Sequence, residues 1–279
     1  MQDMKSPLAI HKFFLFNNDI IDSYIFANCF DNEGLIIYDV LRVVNKIPLF
    51  FEEHFQRLLY SANLTKFKIW KNKDDIIKDI AQLINLNQAE FGNVRIVFQY
   101  KPGERNYIVY FIKHLYPTEH EYRKGVSTCL LRTKRSTPKA KVQHDDIRKK
   151  VLKIIKEKNV YEVLLVDEND TIREGSKSNL FFVKNNQLHT CPADLVLNGI
   201  TRKCIFNICE KNGIPIHESE VKIDDLMNME SAFITGTSPK LLPIEYIEEI
   251  KYNVYHKLTR DLMQFYDQMI TQYLFHYKP

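Results

Sequence analysis

One acid, two turns rich in glycine and hydroxyls, and a set of lysines carry the chemistry legible in this chain. The acid is Glu174, at the head of Glu174-Gly-Ser-Lys-Ser-Asn-Leu-Phe-Phe182. It follows the apolar run Tyr161-Glu-Val-Leu-Leu-Val166 and an Asp-Glu-Asn-Asp turn, so it sits in a hairpin. The two turns are Leu197-Asn-Gly-Ile-Thr-Arg202 and Phe233-Ile-Thr-Gly-Thr-Ser238. The first opens a helical pattern, and its free backbone N–H groups suit a phosphate. An acid with two anion-binding turns is what a protein needs to seat a small phosphorylated ring.

Taken with the helical segment Phe51-Glu-Glu-His-Phe-Gln-Arg-Leu-Leu-Tyr-Ser-Ala62, these blocks resemble the class IV (fold-type IV) pyridoxal-phosphate aminotransferases. That family includes branched-chain aminotransferases, D-amino-acid aminotransferase and aminodeoxychorismate lyase. The likeness runs from Tyr38 to the region of Ile247, with the motifs in the family's order. It implies pyridoxal 5'-phosphate as cofactor, an amino acid and a 2-oxo acid as substrates, and a homodimer with each site walled partly by the partner. It also implies a two-domain α/β (α+β) fold, with a smaller N-terminal α/β domain and a larger strand-rich C-terminal domain holding most of the cofactor site.

The resemblance assigns roles. In relatives the Schiff-base lysine lies a fixed stretch before the strand that begins Tyr-Glu. Counting back from Tyr161 reaches Lys141, in Thr137-Pro-Lys-Ala-Lys141. Lys139 is the rival, because residues two apart in an extended segment point the same way. Arg132 and Arg135 are close enough in sequence to depress the lysine's proton affinity. Glu174 is implied against the pyridine nitrogen, where a carboxylate favours the protonated ring. Arg57 is implied on the phosphate, since a guanidinium can fork onto its oxygens; its plain alternative is an i,i+4 partner for Glu53. Ile200 and Thr201 supply a helix N-terminus, and Gly236, Thr237 and Ser238 the second phosphate turn. Ser178 and Asn179 stand behind these as weaker cofactor-side candidates. Tyr38 and Arg42 fall on the substrate side, and Arg105 is a further substrate-side candidate.

The pattern breaks in two places. Relatives carry Gly-Asp-Gly-aromatic-Glu near the N-terminus, whereas this chain reads Gly34-Leu-Ile-Ile-Tyr38-Asp39. D-amino-acid aminotransferases carry Arg-x-His in the next hairpin, whereas Gly103-Glu-Arg-Asn-Tyr107 offers Arg105 without the histidine. That counts against a D-amino-acid enzyme. The reading is an aminotransferase for a small amino acid. The alternatives are aminodeoxychorismate lyase, releasing pyruvate and 4-aminobenzoate, and a non-catalytic member of the fold.

Several elements must position these groups. A strand is predicted over Leu35–Val44, helices over Phe51–Leu64, Asp74–Leu86, Asp145–Lys158 and Thr201–Lys211, and a hairpin over Asn93–Tyr116. Asn212-Gly213 is a stop for the fourth of these helices. A last helix over Tyr252–Phe275 presents Val254, Leu258, Leu262, Phe265 and Met269 as its apolar stripe. The polar stretch 117–124 is read as a linker between an N-terminal domain, 1–116, and a C-terminal domain, 125–279.

Composition sets outer bounds. The 279 residues are 45% hydrophobic and 27% charged, as in ordinary globular proteins. A net charge of +4, spread along the chain, argues for solvated faces and no nucleic-acid partner. No apolar run approaches the ~18 residues of a membrane span, and the start lacks a signal peptide's apolar stretch. Five cysteines without a CxxC spacing suit a reducing cytoplasm. The nine histidines form no metal-ligand spacing, so no metal is expected.

Overall fold

The computed structural model describes residues 9–133 and 137–277, which form two compact units. The first runs to Leu115 and adds Ala140–Gln143 and the chain from Tyr273. The second comprises Tyr116–Lys139 and His144–Gln272. The stretch expected as a linker, 117–124, carries a helix, Glu119–Lys124, and belongs to the second unit. Its start is encoded by a capping box: Thr118 Oγ1 accepts from the Glu121 N–H, and the Glu121 carboxylate accepts from the Thr118 N–H.

The first unit is a mixed α/β layer pair. Its strands are β1 (Phe13–Phe16), β2 (Asp19–Asp22), β3 (Leu35–Val44), β4 (Ile47–Pro48), β5 (Phe91–Lys101) and β6 (Glu104–Ile112). They join in the order β2-β1-β6-β5-β3-β4. Its helices are α1 (Phe26–Cys29), α2 (Phe51–Leu64) and α3 (Lys73–Leu86). Period-two alternation divides β3 and β5 between two faces. Ile37, Leu41, Val43, Val94, Ile96 and Phe98 pack with Leu58 of α2 and Ile76 and Ile80 of α3. Ile36, Val97, Ile108 and Tyr110 pack on the other side with Phe14, Phe26 and Phe30. Asp39 shares the helix-side face, and a buried carboxylate there needs partners.

The second unit opens with α4 (Glu119–Lys124) and β7 (Val126–Arg132), followed by α5 (Asp145–Lys158), β8 (Glu162–Val166), β9 (Ile172–Gly175), β10 (Asn179–Lys184) and β11 (Gln187–Thr190). Then come α6 (Ile200–Asn212), β12 (Ile216–Glu218), β13 (Ser231–Gly236), β14 (Lys240–Ile247), β15 (Ile250–Lys251) and α7 (Lys257–His276). The sheet runs β12-β11-β10-β13-β14-β7-β8-β9, with β15 beside β14. Every residue of β8 is buried, which explains its continuous apolar run. Gly213 ends α6 with φ +63°, the left-handed cap expected of Asn-Gly.

The last helix starts at Lys257 and buries Leu258, Leu262, Tyr266 and Ile270. The expected stripe through Phe265 and Met269 is therefore corrected: steps of four continue from Leu262, and Val254 packs from the loop before the helix. No helix among the described residues is long and apolar enough to cross a membrane.

Candidate active site

In the second unit, Glu174 lies on β9 and is 3% exposed. Its Oε2 accepts from Asn179 Nδ2 at 3.2 Å and from the Leu197 N–H at 3.1 Å. Asn179 Nδ2 also donates to the Leu197 carbonyl at 2.8 Å, so one amide ties the hairpin to the loop that opens α6. That loop ends at Gly199, the N-cap of α6, where no side chain caps the helix. Ile200 and Thr201 begin the helix, and both are buried. The first N–H groups of a helix have no intrahelical acceptor, and the dipole there favours an anion.

Gly199 is required by space. A Cβ there would overlap Asn179 Oδ1. Gly199→Ala is expected to displace Asn179 and with it Glu174. Overpacking of about 1–3 kcal/mol corresponds to roughly five- to 150-fold weaker binding at this loop. Titration with pyridoxamine 5'-phosphate measures it.

The turn between β9 and β10 rests on Glu162, which the sequence reading passed over. Glu162 is fully buried in β8. Its carboxylate accepts from Ser176 Oγ at 2.6 Å, Ser178 Oγ at 2.9 Å and the Val163 N–H at 2.9 Å. The Ser178 hydroxyl therefore acts toward Glu162. The Ser/Glu pattern was visible in the sequence, but their meeting depends on β8 pairing with β9. Gly236 ends β13, and Thr237 and Ser238 form the half-buried turn into Pro239. Just before it, the buried Thr235 Oγ1 has no hydrogen-bond partner among the described residues. Arg132, expected near the lysine, instead pairs with Asp170 on an exposed surface, and Arg135 lies outside the described residues.

In the first unit, Arg57 is buried on α2 and forks onto Asp39: Nε donates to Oδ2 at 2.8 Å and Nη2 to Oδ1 at 2.6 Å. Its carboxylate partner is thus Asp39, eighteen positions away, and not Glu53. His54, one helical turn before Arg57, places Nδ1 2.9 Å from Asp39 Oδ1. Burial holds the His54 imidazole below its ordinary pKa against the pull of Asp39, so the ring is neutral at pH 7 and Nδ1–H donates to the carboxylate. Burial alone would raise the Asp39 carboxyl, but the Arg57 charge and the hydrogen bonds hold it far below the usual range.

Both depressed values act in one direction. Each group stabilises the fold above its unfolded pKa and loses that contribution as pH falls, for His54 below about 6.5 and for Asp39 below about 4. Asp39→Asn strands Arg57, so a loss of about 3–5 kcal/mol is expected. Urea unfolding at pH 7 checks it, and the gap between variant and parent should narrow only below about pH 4, where the parent loses the Asp39 contribution.

Lys141 also belongs to this unit. Residues 140–143 lie along the free edge of β3, where Ile37 bridges Val142 and the Gln143 N–H donates to the Ile36 carbonyl at 3.1 Å. The Lys141 carbonyl accepts from the Tyr38 N–H at 3.1 Å, and its own N–H donates to Ser61 Oγ at 3.0 Å. Its Nζ lies 5.1 Å from the centre of the Tyr38 ring. Lys139 lies in the preceding turn and is grouped with the second unit. The two lysines thus differ in backbone setting.

Tyr38 and Arg42 share one face of β3 by alternation. Arg95, on the neighbouring β5, was missed: a lone arginine in an apolar strand carries no motif. It is buried, its guanidinium lies 4.2 Å from the Tyr38 ring centre, and Nη2 donates to Gln143 Oε1. Its buried Nε has no hydrogen-bond partner among the described residues. The structure does not bring Arg105 to this group. Arg105 stands opposite Tyr100, over the Trp70 ring at 5.0 Å, on the helix-side face. Tyr107, where the Arg-x-His pattern would need histidine, is buried in that core.

Comparison with known proteins shows the family of this chain. The model of amino-transferase class IV matches residues 36–247. D-alanine aminotransferase of Bacillus licheniformis is 26% identical over 226 residues, which cover 76% of this chain and 78% of the relative. D-alanine aminotransferase of Listeria monocytogenes is 27% identical over 259 residues, covering 85% and 87%. Among solved structures, branched-chain amino acid aminotransferase from Escherichia coli superposes with a TM-score of 0.79 at 19% identity, covering 93% of this chain and 94% of that one. A putative 4-amino-4-deoxychorismate lyase from Legionella pneumophila gives 0.76 at 18% identity, covering 84% and 91%. The two-unit, sheet-rich architecture is the fold of these structures. This chain belongs to the class IV aminotransferase family. It is an enzyme of that transferase class or of its related lyases.

Proposed function

We propose that this chain binds pyridoxal 5'-phosphate and moves an amino group between a small amino acid and a 2-oxo acid. The observation that carries the reading is the buried Glu174 carboxylate, held by Asn179 and the Leu197 N–H beside a helix N-terminus that no side chain caps. These features fit the cofactor: an oriented anion for a ring nitrogen, and bare N–H donors at a helix N-terminus for a phosphate. The unpartnered Thr235 hydroxyl beside Gly236 is a further polar group awaiting a partner. When bound, the cofactor supplies an aldehyde for a lysine and a ring that withdraws electrons from substrate Cα.

The chain's own residues do the rest. Glu174 keeps a proton on the ring nitrogen. The Lys141 amine takes the proton from substrate Cα and later returns one, acting as base and then acid. Arg57, kept oriented by Asp39, the N–H groups of Ile200 and Thr201, and the turn Gly236–Ser238 bind phosphate. Tyr38, Arg42 and Arg95 face the substrate, with the unpartnered Arg95 Nε suited to a carboxylate. Arg105 is left out of this set because it stacks on Trp70.

A homodimer is part of the reading, supported by the exposed Leu59, Tyr60 and Leu64 on α2; sedimentation measures it. So is a reducing cytoplasm, supported by five cysteines without a disulfide. The deciding experiment is an absorbance titration of the cofactor-loaded protein with L-branched, L-acidic and D-alanine amino acids and with aminodeoxychorismate. Loss of the visible band with one amino acid, and formation of its 2-oxo acid, identifies the donor. Release of pyruvate and 4-aminobenzoate from aminodeoxychorismate alone makes the protein the lyase. Absence of any visible band would sink the reading.

A further inference from the structure

Ser61 is fully buried in the middle of α2, one turn beyond Arg57. Its hydroxyl donates to the Arg57 carbonyl at 2.8 Å, the usual resting place for a serine inside a helix. That bond fixes the rotamer and leaves the oxygen lone pairs aimed outward. One of them accepts the Lys141 N–H at 3.0 Å. Three further backbone ties hold the same short segment: Tyr38 N–H to the Lys141 carbonyl, Gln143 N–H to the Ile36 carbonyl, and the Ile37–Val142 bridge. All three run to β3. The Ser61 bond joins this segment to α2, so it opposes rotation of the segment about the β3 edge.

We infer that Ser61 is a positioning residue for the Lys141 amine, fixing the lysine backbone against α2 at the helical turn that also carries Arg57. The inference rests on the reading of Lys141 as the cofactor-linked amine. Ser61 touches neither cofactor nor substrate in this assignment; it acts through Lys141. Without its hydroxyl, the Lys141 N–H loses its acceptor in a partly buried place and the segment is free to tilt. A lost hydrogen bond with an unmet N–H then weakens the lysine's link to an aldehyde by about ten-fold. Binding that does not involve the amine is unaffected.

Two ligands separate these effects in the full-length protein. Pyridoxal 5'-phosphate can link to a lysine, whereas pyridoxamine 5'-phosphate has no aldehyde and cannot. Ser61→Ala is expected to weaken the first by about ten-fold and the second by less than about two-fold. Ser61→Thr keeps the hydroxyl and is expected to restore binding of the first ligand. Borohydride reduction followed by peptide mapping reports the pyridoxyl mark on Lys141 and should show it diminished in Ser61→Ala. Equal weakening of both ligands would make Ser61 a general packing residue and overturn the inference, as would no change in either. A parent protein marked on another lysine would instead defeat the assignment of Lys141, and the inference with it.

Discussion

Lys141→Ala is expected to lower turnover by on the order of 10⁴-fold, the upper range for a positioned acid–base group. Two ties at this position are backbone ones, from Ser61 Oγ and the Tyr38 N–H, and alanine keeps both. The cation over the Tyr38 ring is lost, a matter of about 0.5–1 kcal/mol at such a site. The variant should therefore fold, bind pyridoxamine 5'-phosphate much as the parent does, and form no borohydride-fixed link. Lys141→Arg should be equally inactive, because a guanidinium stays protonated and cannot act as the base. Added small primary amines should restore part of the rate by supplying the missing base from solution. Full activity in Lys141→Ala, with the pyridoxyl mark on Lys139, would transfer the role to the earlier lysine.

What the sequence disclosed about this protein follows the range over which each signal acts. The bounds of β3, α2 and α5 stand at the residues expected, because each has a strong period and a local start and stop. The helix Glu119–Lys124 was also written locally, as Thr118-x-x-Glu121, but its polar composition resembled a linker. Arg57 was recognisable as a candidate from its helix motif, yet its link to Asp39 needed the packing of α2 on β3. The same applies to Lys141. Counting from Tyr161 selected it, while the pairing of 140–143 with the β3 edge is legible only in the fold. Arg95 and Glu162 were invisible for a common reason. Each is one charged residue in an apolar strand, and its meaning comes from a neighbour across the sheet: Tyr38 for Arg95, the Ser176–Ser178 turn for Glu162.

Glu174→Gln is the sharpest test of the other half of the chemistry, because it removes a charge while keeping the shape. Glutamine can still accept from the Leu197 N–H and Asn179 Nδ2 through its amide oxygen, so the hairpin and the loop before α6 should hold. What disappears is the negative charge that keeps a proton on the ring nitrogen, and with it most of the ring's capacity to draw electrons from substrate Cα. Removing one preorganised electrostatic group from a buried site costs about 10²–10³ in turnover, and that is the expected fall. Affinity for pyridoxamine 5'-phosphate should change far less, since the phosphate donors are untouched. Glu174→Ala should differ: it leaves the Leu197 N–H without its acceptor, removes one of the two acceptors of Asn179 Nδ2, and costs about 1–3 kcal/mol of stability besides the charge. The comparison separates electrostatics from scaffolding. Turnover in Glu174→Gln within about three-fold of the parent, in a range smaller than any charge effect of that kind, would mean that this carboxylate does not face the ring. Slow turnover with an intact fold in the glutamine variant, and weakened folding only in the alanine one, is the outcome expected if Glu174 faces the ring.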